Sequence, residues 1–266
     1  MASKPPAPAH CDRSGAAGEG PPADGAAGRL YVVATPIGNL ADLSPRAAQV
    51  LSSVALIAAE DTRRAGLLFG GASQRPQLVS VNAHNYRERL GYLLEVLGGG
   101  ADVAVVTDAG TPAVSDPGGA LVAAAWDAGI RVVPVPGPSA VATALSVAGF
   151  AAERYLFAGY VPKKPGRRER FWQWVDEVDE TAVIFETPHR ISRTMADMAT
   201  RWPDRPMLLA RELTKTYEEL LRGSVAELFE STRNRAWKGE ITIVLAAAGS
   251  RGSNQARRES YEDDDV

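Results

Sequence analysis

The chain has 266 residues, 45% apolar and 23% charged, with a net charge of -3; that suffices for one large domain or two modest ones and offers no global attraction to nucleic acid. A single cysteine, Cys11, excludes a disulfide framework and a cysteine-based zinc site, and three histidines leave little for another metal centre. No apolar run approaches the roughly 18 residues that span a bilayer, and the N-terminal stretch carries acids and no continuous apolar core, so a soluble, cytoplasmic protein with no membrane segment and no metal is expected.

Residues 1–28 are Ala, Gly and Pro with a few charges, too poor in large apolar groups to offset the entropy of ordering, and are expected to be disordered. From residue 30, short apolar runs alternate with helical patterns. LYVVAT (30–35) reads as a strand. SPRAAQVLSSV (44–54) reads as a helix with a Ser cap and Pro at its first position. ALIAAE (55–60), LVSVNA (78–83), DVAVVTD (102–108) and RVVPVPG (131–137) are four more strands, with helices after each. This alternation predicts an α/β domain over 29–149 with a mostly parallel sheet. Beyond 150, strand-like runs at 155–161, 181–187, 206–213, 216–225 and 239–247 are separated by three helical patterns, predicting a second α/β domain over 150–248 with a mixed sheet. The tail, 249–266, ends in an acid run and is expected to be disordered.

Ligands in an open α/β sheet gather at the carboxyl ends of the strands. Five segments rich in Gly, Pro or polar residues fall there: TPIGN (35–39), EDTRR (60–64), NAHN (82–85), TDAGTPAVSDPGG (107–119) and PVPGPSA (134–140). Neither a phosphate-binding G-x-x-x-x-G-K-[ST] loop nor a G-x-G-x-x-G fingerprint is present. Asp108 and Asp116 in the central segment would repel a phosphate. They suit a ligand with hydroxyls, an amine or a positive centre, such as a nucleoside bearing a cationic sulfur.

These segments, VATPIGNL (33–40), AAEDTRR (58–64), TDAGTPAVSDPG (107–118) and VPGPSA (135–140), together with FAGYVPKK (157–164), ETPHR (186–190), RELTK (211–215) and KGE (238–240), resemble the ribosomal RNA small-subunit methyltransferase I family. That family is a branch of the tetrapyrrole (corrin/porphyrin) methylase fold, and the resemblance covers nearly all of 30–247. It implies two α/β domains with the cofactor in the cleft between them and S-adenosylmethionine as that cofactor. It further implies 2′-O-methylation of a cytidine in the decoding region of 16S ribosomal RNA, the 30S subunit as partner, and a homodimer. Carried over residue by residue, the implied cofactor contacts are Pro36 and Gly38, then Asp108, Ala109, Gly110, Thr111 and Pro112. Ser115, Asp116, Pro138, Ser139 and Ala140 follow, with Leu213 and Ile241 flanking the adenine. Tetrapyrrole relatives usually carry a first loop of the form GPGDP; here Asn39 stands where that Asp would fall, a departure that suits the RNA branch.

An in-line methyl transfer to a weakly nucleophilic hydroxyl gains from alignment and from a base or cation beside the acceptor. The candidates are Glu60, Asp61, Arg63, His84, Asp108, Glu186, Arg211, Glu212 and Lys215, with Asp61, Arg63 and Asp108 placed at the reaction centre. Asp61 with Arg63 or Arg64 also reads as a structural pair capping a helix, and His84 as a hydrogen-bonded structural histidine. For RNA, the basic run KKPGRRERFWQW (163–174) supplies Lys163, Lys164, Arg167, Arg168 and Arg170 as candidates, and His189, Arg190 and Arg211 are further candidates for phosphate contact. Trp172 and Trp174 read as core residues. A corrin or porphyrin C-methyltransferase and a non-catalytic RNA-binding protein are the competing readings.

Overall fold

The computed structural model describes residues 27–69, 75–82, 85–116 and 118–250. Most of the two segments expected to be disordered, and with them His10 and Cys11, lie outside these residues, as do His84 and Pro117. The described residues include Gly28 and Gly249, at the inner ends of these two segments. The Gly28 N–H donates to Leu97 O at 2.7 Å, and a short 3-10 turn at Ala248–Ser250 is tied down where Gly249 N–H donates to Asp179 Oδ1 at 3.2 Å.

The first sheet holds β1 (Leu30–Val33), β2 (Leu56–Ala59), β3 (Gln77–Ser80), β4 (Val103–Val106) and β5 (Val132–Val135), in the order β3-β2-β4-β1-β5 with every pair parallel. β2 and β4 are buried at every residue, as expected of central strands covered on both faces. Alternation assigns the faces. Leu56, Ala58, Val103 and Val105 pack with α3 (Tyr86–Gly98) and α4 (Gly119–Asp127), whereas Ile57, Ala59, Ala104 and Val106 pack with α1 (Pro45–Ser53) and α2 (Thr62–Leu67). α1 begins as its sequence requires: the Ser44 side chain accepts from Ala47 N, and Pro45 occupies the first turn.

The second sheet holds β6 (Tyr155–Tyr160), β7 (Thr181–Glu186), β8 (Pro206–Arg211), β9 (Glu219–Ser224) and β10 (Ile241–Leu245). Its order is β6-β7-β10-β8-β9, with β6 and β7 parallel and the remaining pairs antiparallel. α6 (Pro165–Glu177), α7 (Ile191–Arg201) and α8 (Val225–Thr232) cover one face around Trp172, Ile184, Met195, Met198 and Ile243. The other face is covered by α5 (Ala140–Ala148), which the strand-helix alternation assigns to the first domain. Val141, Ala144 and Ala148 of α5 pack on Val183, Leu208, Ala210 and Val244. The two sheets therefore divide near residue 150, but their packing does not. The strand expected over 206–213 stops at Arg211 because Glu212 and Thr214 adopt positive φ (52° and 65°), which turns the chain out of the sheet.

Candidate active site

The loops after β1, β2 and β4 meet the second sheet around a cavity of 280 Å³, near the low end of the roughly 300–1,000 Å³ typical of small-molecule sites. The first domain contributes Ile37, Glu60, Arg64, Asp108 to Thr111, Val114 to Asp116, and Ser139 to Val141 at the start of α5. The second contributes Tyr160, Phe185, Glu186 and Glu240 to Thr242.

The central loop is held rigidly. Thr35 N–H donates to Gly110 O at 2.9 Å and Gly110 N–H returns to Thr35 O at 3.1 Å, a bridge between the loops after β1 and β4. The Thr35 hydroxyl donates to Thr107 O at 3.1 Å, and the Thr111 hydroxyl to Pro138 O at 3.3 Å. Ala113 and Ser115 hold positive φ (69° and 64°) without being glycine; such residues cost about 1–3 kcal/mol each and gather where a fixed surface is needed for function. The helix after this loop starts at Gly119 with Gly118 at φ 128° and no side-chain cap. Asp116, an implied cofactor contact, lines the cleft and does not cap this helix.

Carboxylates dominate the electrostatics. Burial, followed by the neighbouring Asp108 and Asp116, raises the Glu60 carboxyl above its usual value. Burial also raises Asp116, with Asp108 and Glu240 adding to the effect. The Thr107 hydroxyl lies near both without closing a hydrogen bond to either. Asp108 Oδ1 accepts the Asp61 N–H at 3.1 Å and Oδ2 lies 3.6 Å from Arg64 Nε. Asp61 caps α2: its side chain accepts the Arg63 N–H at 2.9 Å and pairs with the Arg63 guanidinium at 2.7 and 3.0 Å. Those bonds with Arg63 hold its carboxyl down at about 2. Of the three residues placed at the reaction centre, Asp108 lines the cavity, while Asp61 and Arg63 face each other at its rim and leave Glu60 and Arg64 pointing in.

Among the implied cofactor contacts, Ala109, Gly110, Thr111, Ser115, Asp116, Ser139, Ala140 and Ile241 line the same cavity as Asp108. Pro36, Pro112 and Pro138 lie beside it in the chain and do not line it. Gly38 and Leu213 belong to the contact between domains. A Cβ at Gly38 would fall 2.3 Å from Lys215 Cγ and 2.8 Å from Leu213 O, and Leu213 is buried among Ile37, Val141 and Ala210. Asn39 accepts the Ala41 N–H at 3.0 Å and caps the turn after β1, a task an Asp there could also perform. Lys215 Nζ is shared between Glu212 Oε1 at 2.8 Å and the cavity residue Glu240 Oε2 at 2.9 Å.

The basic set separates. Lys163, Lys164, Arg167 and Arg170 are exposed at the start of α6, and His189 is exposed before α7. Arg168 is a correction: it is 5% exposed, pairs with Asp197, donates to Thr194 Oγ1 at 3.2 Å and sits 5.7 Å over the Trp172 ring. One helical step from Arg167 turns it from solvent into the core. Arg190 pairs with Glu186 at 2.6 Å and donates to Val161 O at 2.7 Å. Arg211 is bound to Glu219 at 3.0 Å and to Tyr217 O at 3.0 Å. Tyr160, Phe185, Glu240 and Thr242 line the cavity without standing among the expected site residues, although FAGYVPKK and KGE contain two of them. Among the described residues no group of three or more His, Cys, Asp or Glu is arranged to hold a metal ion, and no helix is long and apolar enough to cross a membrane.

Residues 29–228 match the tetrapyrrole (corrin/porphyrin) methylase family. The chain is 48% identical over 225 residues to the ribosomal RNA small subunit methyltransferase I of Neisseria meningitidis serogroup A, covering 83% of this chain and 77% of that protein. It is 46% identical over 224 residues to the protein of that name from Pseudomonas aeruginosa, covering 83% and 79%. Among solved structures, the cobalt precorrin-4 methyltransferase of cobalamin biosynthesis superposes with a TM-score of 0.62 at 16% identity over 82% of this chain and 94% of that one. A uroporphyrin-III C-methyltransferase from Thermus thermophilus, complexed with S-adenosylhomocysteine, superposes at 0.59 with 18% identity over 82% and 97%. These two likenesses concern the fold.

Proposed function

The chain belongs to the tetrapyrrole methylase family, within its ribosomal RNA small subunit methyltransferase I branch, and from that premise we propose that it transfers a methyl group from S-adenosylmethionine to the ribose 2′-hydroxyl of a cytidine in the decoding region of 16S ribosomal RNA. The observation that carries this reading is the cleft itself. Its wall is stiff, and among the described residues Glu60, Asp108, Asp116, Glu186 and Glu240 line it with Arg64, Glu186 being paired with Arg190 and Glu240 with Lys215 behind the lining.

The residues present fit S-adenosylmethionine. Carboxylates favour a cation and disfavour a phosphate, Ile37, Val141 and Ile241 offer apolar surface for a purine, and the fixed loop from Asp108 to Ser115 presents backbone groups. When bound, the cofactor supplies a methyl group on a positively charged sulfur. The protein's part is positional. The bridge between Thr35 and Gly110 and the strained residues Ala113 and Ser115 keep one wall from yielding, which suits a displacement governed by alignment. Asp108 is held by the Asp61 N–H and Arg64. Glu60 and Asp116, whose carboxyls are raised by burial, line the cleft and are the bases available to the hydroxyl proton of the acceptor. The exposed Lys163, Lys164, Arg167 and Arg170, with His189, provide phosphate contacts outside the acidic cleft. A homodimer acting in the cytoplasm on the 30S subunit accords with this reading.

Labelled S-adenosylmethionine incubated with the protein and 30S particles lacking the modification tests the assignment. The expected result is label in 16S RNA at one cytidine whose 3′ phosphodiester resists alkali, because a 2′-O-methyl group removes the nucleophile for cleavage. Label confined to a tetrapyrrole, or cofactor binding without transfer, would overturn it.

A further inference from the structure

β6, the strand that leads into the basic segment at the start of α6, has an irregularity at the cleft. β6 and β7 pair in regular register from Tyr155 opposite Thr181 to Phe157 opposite Val183, and then the register shifts, so that Gly159 stands opposite Ile184 and Tyr160 opposite Phe185. Leu156 and Ala158 pack toward the core under α6 and α7, and Phe157 packs toward the opposite face with Val183 and Phe185. Strict alternation would send Tyr160 to the side of Leu156 and Ala158, into the core. The extra residue reverses it. Two residues, Ala158 and Gly159, oppose one, with Gly159 at φ 68°, and Tyr160 emerges on the cleft face beside Phe185. Bulges next to functional sites re-aim side chains in this way.

The outcome is an aromatic ring that is fixed yet open. Tyr160 meets Phe185 edge-to-face at 5.6 Å, and Phe185 meets Phe157 at 4.9 Å. Tyr160 lines the cavity and remains 51% exposed. The chain just beyond it is pinned: Arg190 donates to Val161 O at 2.7 Å, and its guanidinium is held 2.6 Å from the buried Glu186 carboxylate. Glu186 also accepts the Thr187 N–H and the Thr194 hydroxyl, each at 2.7 Å. Three residues after Tyr160 begin the exposed Lys163 and Lys164. An exposed aromatic followed at once by a cationic track is the arrangement that receives a single-stranded nucleotide, with its base on the ring and its phosphates on the cations.

We propose that Tyr160 is the stacking platform for the base of the nucleotide that is methylated, its ring aimed into the cleft by the bulge at Ala158–Gly159. This rests on the reading of the protein as an RNA methyltransferase. The ring carries the role, and the hydroxyl does not: burial, with Glu240, Asp116 and Glu186 nearby, raises the hydroxyl and keeps it protonated. The nucleobase is the substrate's rather than the cofactor's because the ring adjoins the basic segment, whereas Ile37, Val141 and Ile241 form the apolar surface deeper between the domains.

The experiment compares wild type, Tyr160→Ala and Tyr160→Phe in steady-state methylation of unmodified 30S particles, with S-adenosylhomocysteine affinity measured in parallel. Tyr160→Ala is expected to raise KM for the 30S substrate or lower kcat/KM by about 5- to 150-fold, the range set by removing one base–aromatic stack. Tyr160→Phe should stay within about twofold of wild type, and S-adenosylhomocysteine affinity should be unchanged in both, which also shows that they are folded. Unchanged kinetics in Tyr160→Ala, a Phe variant as impaired as the Ala variant, or an equal loss of S-adenosylhomocysteine affinity would each overturn the proposal. A wild type that transfers no label to RNA refutes instead the functional reading on which it stands.

Discussion

Gly38→Ala probes the contact between the two domains. A Cβ at this position would fall 2.3 Å from Lys215 Cγ, 2.8 Å from Leu213 O and 2.8 Å from Thr214 Oγ1. None of the three yields easily. Lys215 is held by Glu212 and Glu240 at 2.8 and 2.9 Å, and Leu213 lies between two residues already at positive φ, Glu212 and Thr214. Overpacking of this kind costs about 1–3 kcal/mol, which in a chain of this size lowers Tm by about 2–12 °C. Urea titration and calorimetry of the full chain measure it. Lys215→Ala removes the nearest atom but leaves the Leu213 carbonyl, so the double variant should recover part of the loss and the two substitutions should be non-additive by at least about 0.5 kcal/mol. An unchanged Tm in Gly38→Ala, with only S-adenosylhomocysteine binding weakened, would refute this contact. Gly38 would then face the cofactor, as its motif implies, and not the second domain.

Arg168→Ala should destabilise the protein by about 2–4 kcal/mol by stranding Asp197 beside Trp172, whereas Ala at Lys163, Lys164 and Arg167 should each change stability by less than about 0.5 kcal/mol yet weaken RNA binding more at low salt than at high; calorimetry and filter binding at two ionic strengths separate the two groups. Asp116→Asn removes a charge from the cleft and should weaken S-adenosylmethionine binding by about 5- to 30-fold, from a screened attraction of about 1–2 kcal/mol, with a smaller effect on the neutral thioether product; titration calorimetry with both ligands tests the difference. Asp61 is held at about 2 against an ordinary 3.8, so its contribution to stability is present above pH 3.8 and is lost as pH falls toward about 2. The Asp61→Asn variant should therefore show a flatter acid limb in stability against pH, and an unchanged limb would show that the Arg63 pair is not formed in solution.

Much of the architecture was legible in the chain because its strands are short and buried. LIAA and VAVV are apolar at every position, and a run of that kind between turn residues has few other ways to fold. The loops at the strand ends were equally visible, since the Gly and Pro that shape Asp108 to Asp116 declare themselves in sequence. What sequence could not settle was direction. Arg167 and Arg168 are neighbours, and so are Arg63 and Arg64, yet one of each pair is exposed or paired at the rim while the other reaches into the core or the cleft. The choice rests on partners far along the chain, Asp197 for Arg168 and Asp108 for Arg64.

By itself, then, the sequence determined two α/β units, the order of their elements and the placing of a rigid acidic loop at a strand end. These are local consequences of periodicity and backbone preference. Only tertiary structure decided that α5 covers the second sheet, that Gly38 abuts Lys215, and that a register shift turns Tyr160 from the core into the cleft. Each depends on a contact between segments distant in sequence. A single residue's displacement in pairing reverses which face a side chain occupies, and no local pattern records it.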